Sequence, residues 1–256
     1  MRKSDQSPVA APIWRVSLLC IIAILMVLGM LRLGVWQLDR ADQKRAIADQ
    51  LEVRSKQAAV PIIEVVDSSD VDSLRFRKVL LKGRYLQNKN FYVDNQVVNG
   101  RVGYQVFTPF KLQQSDTVIM LARGWVSVGE SRQKLPIVVT VDGPLTLQGR
   151  LNAAPAQPPL WDPKYAVSTG DVWQYLPLLE VAAVLQVKVF PLVVELEPSA
   201  GDNLALVRKW PEIDDQQVAK HLGYAFQWFA MAVAFFIACL VLLFLNVREA
   251  LRENKI

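Results

Sequence analysis

Two long apolar runs, one towards each end of the chain, dominate the pattern of hydrophobic and polar positions. The first is VSLLCIIAILMVLGML over residues 16–31, and LGVW extends its apolar character to Trp36. The second covers residues 222–247 and contains no charged residue. A helix needs about 20 apolar residues to cross the hydrocarbon core of a bilayer. The pattern therefore predicts transmembrane helices over residues 16–36 and 221–247.

Each run has an alternative explanation. A cleaved signal peptide would account for the first run, but no small-residue A-x-A site follows it and the chain continues into a charged helical segment. A buried core helix would account for the second run, but a charge-free stretch of this length is unusual in a globular core. We therefore favour an uncleaved anchor followed by a second span.

The middle of the chain is built from short β-branched and aromatic segments separated by Gly, Asn, Asp and Pro, which is the pattern of strands and turns. Asn99-Gly100 is a hairpin-turn signal. Apolar residues at helical spacing predict one helix over residues 176–186, and a helical stalk is predicted over residues 33–56. The predicted strands lie within residues 75–86, 90–96, 103–112, 117–128, 137–151, 189–198 and 204–210.

The predicted fold class is therefore a membrane protein in which two transmembrane helices flank a mainly antiparallel β extramembrane domain, barrel-like or sandwich-like, with one or two helices. We predict the orientation from the short basic tails, which the positive-inside rule places in the cytoplasm. The loop between the spans does not count, because it exceeds the roughly 60 residues over which loop charges influence orientation. We expect a multi-pass protein of a bacterial inner membrane. Its predicted segments are a cytoplasmic tail (1–15), a first span (16–36), a periplasmic β-rich domain with an N-terminal helical stalk (37–220), a second span (221–247) and a cytoplasmic tail (248–256).

Composition narrows the possible functions. The net charge is +5, but no dense Lys/Arg run is present, so no nucleic-acid partner is expected. Cys20 and Cys239 both lie in the apolar runs, which leaves the polar middle without a thiol. His221 is the sole histidine, so a site with several histidine ligands is impossible. Neither a phosphate loop nor a nucleophile elbow appears, and no enzyme activity is expected. The scattered carboxylates leave an acid–base pair neither excluded nor identifiable.

Two further motifs stand out, one of which admits both a structural and a functional interpretation. In GVWQLDRADQKR, helical spacing places Gln37, Arg40 and Lys44 on one face. They form either an anchor at the lipid headgroups or a cationic face that meets the second helix or an anionic ligand. In LARGWV, Gly124 and Trp125 indicate a bulge or turn with a buried tryptophan.

A third motif surrounds the only histidine. HLGYAFQWF places His221, Tyr224 and Trp228 along one helical face at the start of the second span. Tyr and Trp at this position are typical of the interfacial aromatic belt. Alternatively, the imidazole is a ligand of haem iron and the two aromatic side chains flank a porphyrin.

Taken together and in this order, four motifs resemble the Surfeit locus protein 1 family. They are GVWQLDRADQK, YVDNQ with GYQVFTPF, LARGWVSVGESR and KHLGYAFQWF, and the resemblance covers about residues 34–232. It implies two spans, a large domain on the periplasmic or intermembrane-space side, and a role in assembling haem–copper cytochrome c oxidase. It also implies transient binding of haem a and its delivery to oxidase subunit I, with subunit I, other oxidase assembly factors and the membrane as partners.

The resemblance also implies a role for one residue, because His221 aligns with the histidine proposed as the axial ligand of the haem iron. From their helical spacing, Tyr224 and Trp228 would then line the porphyrin. If the two spans pair, Arg40 and Lys44 would meet its propionates. The chain departs from the family pattern just before His221, since Ala219 and Lys220 stand where asparagines are common, and Gln227 replaces a threonine. The departure removes possible hydrogen-bond partners of the imidazole.

Two alternatives remain open. In the first, the protein is a non-catalytic scaffold that holds oxidase subunits or assembly factors without binding haem, and the β domain with Gly124 and Trp125 matters more than His221. In the second, it is a membrane-tethered enzyme, which would require adjacent buried carboxylates.

Overall fold

A computed structural model describes residues 13–129, 131–157, 168–198, 206–210 and 215–253. Residues 1–12 and 254–256 of the predicted tails lie outside this part of the chain, as do residues 204–205 of the last predicted strand. The chain divides into two compact units, a helical unit made of the first long helix as far as Asp49 together with the last long helix, and a β unit over residues 50–211. Within the described residues, the α-helices are α1 (Ile13–Ser55), α2 (Leu178–Leu185) and α3 (Asp215–Glu253).

Helix α1 joins the first predicted span and the predicted stalk into one helix of 43 residues. The segments Trp14–Ser55 and Gln216–Glu249 are each long and apolar enough to cross a membrane. Most of their apolar side chains are exposed rather than packed in a core. Because a core helix of a soluble protein buries such side chains, this exposure favours lipid around both helices.

The β unit contains strands of very different lengths. Their bounds are β1 Val60–Pro61, β2 Lys78–Tyr85, β3 Phe91–Val98, β4 Arg101–Leu112, β5 Val118–Ser127, β6 Leu145–Asn152, β7 Ser168–Thr169, β8 Val172–Trp173 and β9 Val189–Leu196. Two 3₁₀ turns, Ile62–Glu64 and Asp72–Leu74, lie between β1 and β2. The two-residue strands were not predicted, because they are too short to show an alternating pattern.

Five strands close on themselves. The pairing runs β2–β6–β9–β5–β4 and returns from β4 to β2, so the sheet forms a barrel. Strand β4, with 12 residues, makes closure possible because its length lets it pair with β2, β3 and β5. Only β5 and β9 pair in parallel within this ring. The prediction of a barrel-like, mainly antiparallel domain between two apolar helices is therefore confirmed.

Side-chain alternation along the barrel strands separates an interior from an outer face. Leu81, Phe110, Leu121 and Val194 lie in the interior cluster. A second cluster on the outer face combines residues of β3, β5 and β9 with Trp173 of β8 and the buried residue of α2. The helix predicted over residues 176–186 is confirmed as α2, and its buried residue packs on this face.

One predicted turn is confirmed, whereas two predicted strands are shorter than expected. Asn99 and Gly100 adopt positive φ angles of 50° and 74° between the paired residues Val98 and Arg101, which confirms the predicted hairpin turn. The strand predicted over residues 137–151 begins only at Leu145. The strand predicted over residues 204–210 is reduced, within its described part, to a single bridge between Val207 and Trp125.

Side chains, not a neighbouring strand, hold the segment before β6. The Tyr92 hydroxyl donates to the carbonyl of Pro136 (2.8 Å), Asn90 donates to that of Val138 (2.9 Å), and Arg123 donates to that of Val139 (3.0 Å). Burial raises the pKa of Tyr92, and the negative charge of Asp171 raises it further. The phenol is therefore a neutral donor at neutral pH, as this contact requires.

A buried ion pair joins two barrel strands. Arg150 of β6 and Glu195 of β9 are register partners, and the guanidinium donates twice to one carboxylate oxygen, at 2.7 and 3.0 Å. Asn152 donates to the other oxygen at 2.8 Å. Both charged side chains are largely buried. Removing one partner would leave the other charge uncompensated in a low-dielectric site.

We predict that Glu195→Ala lowers the free energy of unfolding by roughly 3 kcal/mol. Chemical unfolding of the full chain in detergent, followed by tryptophan fluorescence, measures this change. Asp116→Ala is the matched control, because Asp116 is fully exposed where it pairs with Lys111 and should contribute little measurable stability. Equal effects of the two substitutions would contradict the importance of the buried pair.

Candidate functional site

One face of each long helix is shielded from solvent. In α1 the shielded positions within residues 14–46 are 23, 27, 30, 34, 37, 41 and 44, and in α3 they include 218, 221, 225, 228, 232, 235 and 239. Steps of three and four residues alternate along both sets, which is the heptad spacing of two helices packed side by side. We call this shared face the helix seam.

Contacts across the helix seam show that the two helices run in opposite directions. Gln37 meets His221, whereas Cys20, earlier in α1, shares a cavity wall with Cys239, later in α3. Gly34 permits the close approach, because a Cβ atom at this position would lie 2.6 Å from the ring of Phe229. Buried alanines, among them Ala225 and Ala232, supply the same small surface on α3.

The imidazole of His221 is held by a hydrogen bond from one helix to the other. Its Nδ1 atom lies 2.8 Å from Oε1 of Gln37, and both side chains are partly buried. The first and last motifs of the sequence therefore meet directly at this point of the helix seam.

The other predicted site residues divide between the helix seam and its flanks. Trp228 and Lys44 are partly shielded and lie on the helix seam. Tyr224 is 53% exposed and Arg40 is also exposed, so both lie on its outer flanks. The guanidinium of Arg40 lies over the Trp36 ring, 5.7 Å from its centroid, and donates to the Gln43 side chain at 2.9 Å.

This arrangement offers a metal centre one protein ligand. The described residues contain no cluster of three or more His, Cys, Asp or Glu side chains that could hold a bare metal ion. A single imidazole suits a metal whose other ligands come with a cofactor, as in a porphyrin. An imidazole two helical turns from Trp228 on the same face, with basic side chains on the facing helix, therefore fits an anionic aromatic cofactor better than a free ion.

A wholly apolar cavity of about 320 Å³ opens further along the helix seam. Its wall includes both cysteines of the chain, one on each helix. The large side chains of Ile24, Leu28 and Phe236 also line it. The cavity gives a direct means of testing whether the two helices pack as described.

The LARGWV motif lies in the barrel. The register between β4 and β5 slips at Arg123, which makes this residue a bulge, and Gly124 follows with φ of 141°. A Cβ atom on Gly124 would lie 2.8 Å from Cβ of Leu206. The Trp125 indole is buried and donates to the carbonyl of Gln96 at 2.9 Å. The predicted bulge with a buried tryptophan is confirmed.

A sequence model described as the SURF1 family matches residues 24–233. The chain belongs to the SURF1 family. The match includes both faces of the helix seam around Gln37 and His221, and the whole barrel, so the resemblance seen in the motifs is confirmed.

Individual SURF1 relatives support this assignment. The SURF1-like protein of Rickettsia felis is 28% identical over 222 residues, which cover 81% of this chain and 89% of that protein. Surfeit locus protein 1 of Takifugu rubripes is 21% identical over 229 residues, covering 79% and 87%. The Saccharomyces cerevisiae protein named cytochrome oxidase assembly protein SHY1 is 30% identical over 95 residues, covering 37% and 24%.

Sequence reasoning placed Gln37 on a face of α1 but did not identify it as the partner of His221. A sequence signal for the two contacting faces was present. It is the alternating spacing of Gly34, Gln37 and Ala41 on α1, and of Val218, His221 and Ala225 on α3. Such spacing shows which faces meet, but the pairing of two residues 184 positions apart also requires the register between the helices.

We predict that a short bismaleimide joins Cys20 to Cys239 within one molecule, because both thiols line the same cavity. Mass spectrometry of peptides from the dilute, detergent-solubilised protein detects the product. In the control, Cys239→Ser is combined with Val241→Cys, which moves the thiol to the opposite face of α3 and should abolish the product. An equal yield from both proteins would contradict the helix seam.

We predict that Gly34→Val weakens the packing of the helices by about 1–3 kcal/mol, since the added side chain must displace the Phe229 ring. The yield of the Cys20–Cys239 crosslink should fall accordingly. Gly29→Val is the matched control on the same helix, because a Cβ atom there meets nothing within 4 Å. Loss of crosslinking in both variants would indicate a general effect on α1 rather than a contact at Gly34.

Proposed function

We propose that this SURF1 protein is a membrane-anchored assembly factor for haem–copper cytochrome c oxidase. The observation that carries the proposal is the family match over residues 24–233. It is supported by the yeast relative whose name is cytochrome oxidase assembly protein SHY1. The two long apolar helices support a site of action at the membrane, where an oxidase is assembled.

The finer part of the proposal is that the chain holds haem a transiently and passes it to oxidase subunit I. When bound, haem a supplies a redox-active iron that accepts an axial nitrogen ligand. His221 would provide that nitrogen, and Trp228 and Tyr224 would flank the porphyrin. The side chains of Arg40 and Lys44 lie on the facing helix one and two turns from Gln37, where they could meet propionates.

We propose a bacterial inner membrane as the location, with both termini in the cytoplasm and the β unit in the periplasm. The basic residues outside the two apolar segments, including Arg15 and Arg248, support this orientation. Other oxidase assembly factors would then meet the protein at the outer surface of that membrane.

A scaffold without haem is the second candidate. The observation that favours it is the presence of large apolar side chains exposed on the β unit, among them Ile137 at 85% and Leu179 at 89%. Such surfaces often take part in protein–protein contacts. In that case Trp125, which supports the barrel, would matter to function and His221 would not.

The test is complementation of a strain that lacks its own SURF1 gene. We expect the deletion to remove most of the haem a absorbance of the membrane oxidase, and the wild-type chain to restore it. His221→Ala should restore roughly tenfold less, while Lys220→Ala, an exposed neighbour on the same turn, should restore it fully.

Two outcomes would contradict the proposal at different levels. Full restoration by His221→Ala together with failure of Trp125→Ala would replace the haem-handling role with the scaffold role. An oxidase that is unaffected by the deletion would contradict the assembly function itself.

A further inference from the structure

The contact between Gln37 and His221 determines where the imidazole carries its proton. Oε1 of Gln37 is a carbonyl oxygen and can only accept a hydrogen bond. Its distance of 2.8 Å from Nδ1 of His221 is that of a hydrogen bond. With Oε1 as the acceptor, the hydrogen of this bond lies on Nδ1, so the contact with Gln37 favours this form of the ring.

A neutral imidazole that carries hydrogen on Nδ1 has its lone pair on Nε2. Nε2 is then the nitrogen that can donate electrons to a metal. Without the acceptor at Gln37, the ring could populate both tautomers and rotate about its side-chain bonds. In known metal sites, a hydrogen bond to the second ring nitrogen commonly fixes both the tautomer and the orientation of a histidine ligand.

The helix seam holds Gln37 in place for this task. Gln37 and His221 are each followed one turn later by a fully buried alanine, Ala41 and Ala225. One turn before Gln37, Gly34 lets the ring of Phe229 approach α1 closely. The hydrogen bond that the Arg40 guanidinium donates on α1 goes to the side chain of Gln43 and not to that of Gln37. The acceptor therefore faces the imidazole from a packed part of the helix.

We propose that Gln37 is a positioning residue that fixes His221 as its Nδ1–H tautomer and presents Nε2 to the iron of a porphyrin. The identity of the bound group, a porphyrin, rests on the proposed function. The tautomer of His221 rests only on its contact with Gln37. Gln37 thus supplies the hydrogen-bond acceptor that Ala219 and Lys220 cannot provide with their side chains. The proposal also explains why the first and last motifs belong to one site.

The tautomer can be measured without any cofactor. Because His221 is the only histidine, labelling with ¹⁵N-histidine gives signals from one imidazole in the full chain. In lipid nanodiscs at alkaline pH, we expect a protonated Nδ1 and an unprotonated Nε2. A wild-type ring protonated on Nε2 would overturn the proposal.

Two substitutions of similar size separate positioning from packing. Gln37→Leu removes the acceptor and should shift the ring towards protonation on Nε2. Gln37→Glu keeps an acceptor oxygen and should retain the Nδ1–H form. The crosslink between Cys20 and Cys239 checks that the helices still pack in each variant. An unchanged tautomer in Gln37→Leu, with the crosslink intact, would overturn the positioning role.

Titration with ferric haem b tests the second half of the proposal. The absorption change should report affinity roughly 10- to 100-fold weaker in Gln37→Leu than in the wild type, with recovery in Gln37→Glu and loss in His221→Ala. Equal affinity of wild type and Gln37→Leu would overturn the presentation of Nε2 to iron. If the wild type binds no haem but shows the expected tautomer, the haem-handling function fails while the control of the tautomer by Gln37 stands.

Discussion

Close packing of α1 against α3 is the constraint on which the candidate site depends. In a lipid environment, apolar side chains gain little by leaving lipid for a partner helix, so association relies on small residues and interhelical hydrogen bonds. The helix seam has both features, with Gly34 beneath the Phe229 ring and Gln37 bonded to His221. A lone histidine at the edge of an apolar helix thereby becomes an oriented group with a defined partner.

The β unit obeys a different constraint, the closure of a small barrel. Strand β4 pairs with three neighbours, and the bulge at Arg123 with the positive φ of Gly124 lets the following residues meet Val207. The guanidinium of Arg208 then donates to the carbonyls of Arg123 and Glu197. The LARGWV motif is thus explained by the barrel itself, and this explanation requires no ligand.

Local sequence patterns predicted much of this fold. The apolar runs, the alternation in the long strands and the Asn99-Gly100 turn each reflect a rule that acts over a few residues. The predictions that failed concern features that depend on contacts between residues far apart in sequence. Residues 137–144 have strand composition, yet their carbonyls accept hydrogen bonds from side chains such as Asn90 and Arg123 instead of joining a sheet. Five candidate site residues could be named from their motifs, but the partner role of Gln37 became visible only when two helices far apart in sequence were packed together.

The account of cofactor handling is tested most directly by the absorption spectrum of the purified protein after co-expression with the enzymes that synthesise haem a. The wild type should carry a haem a spectrum, and His221→Ala should lack it while still folding and inserting into the membrane. A wild type without haem under these conditions, or a His221→Ala variant with an unchanged haem a spectrum, would contradict ligation by His221.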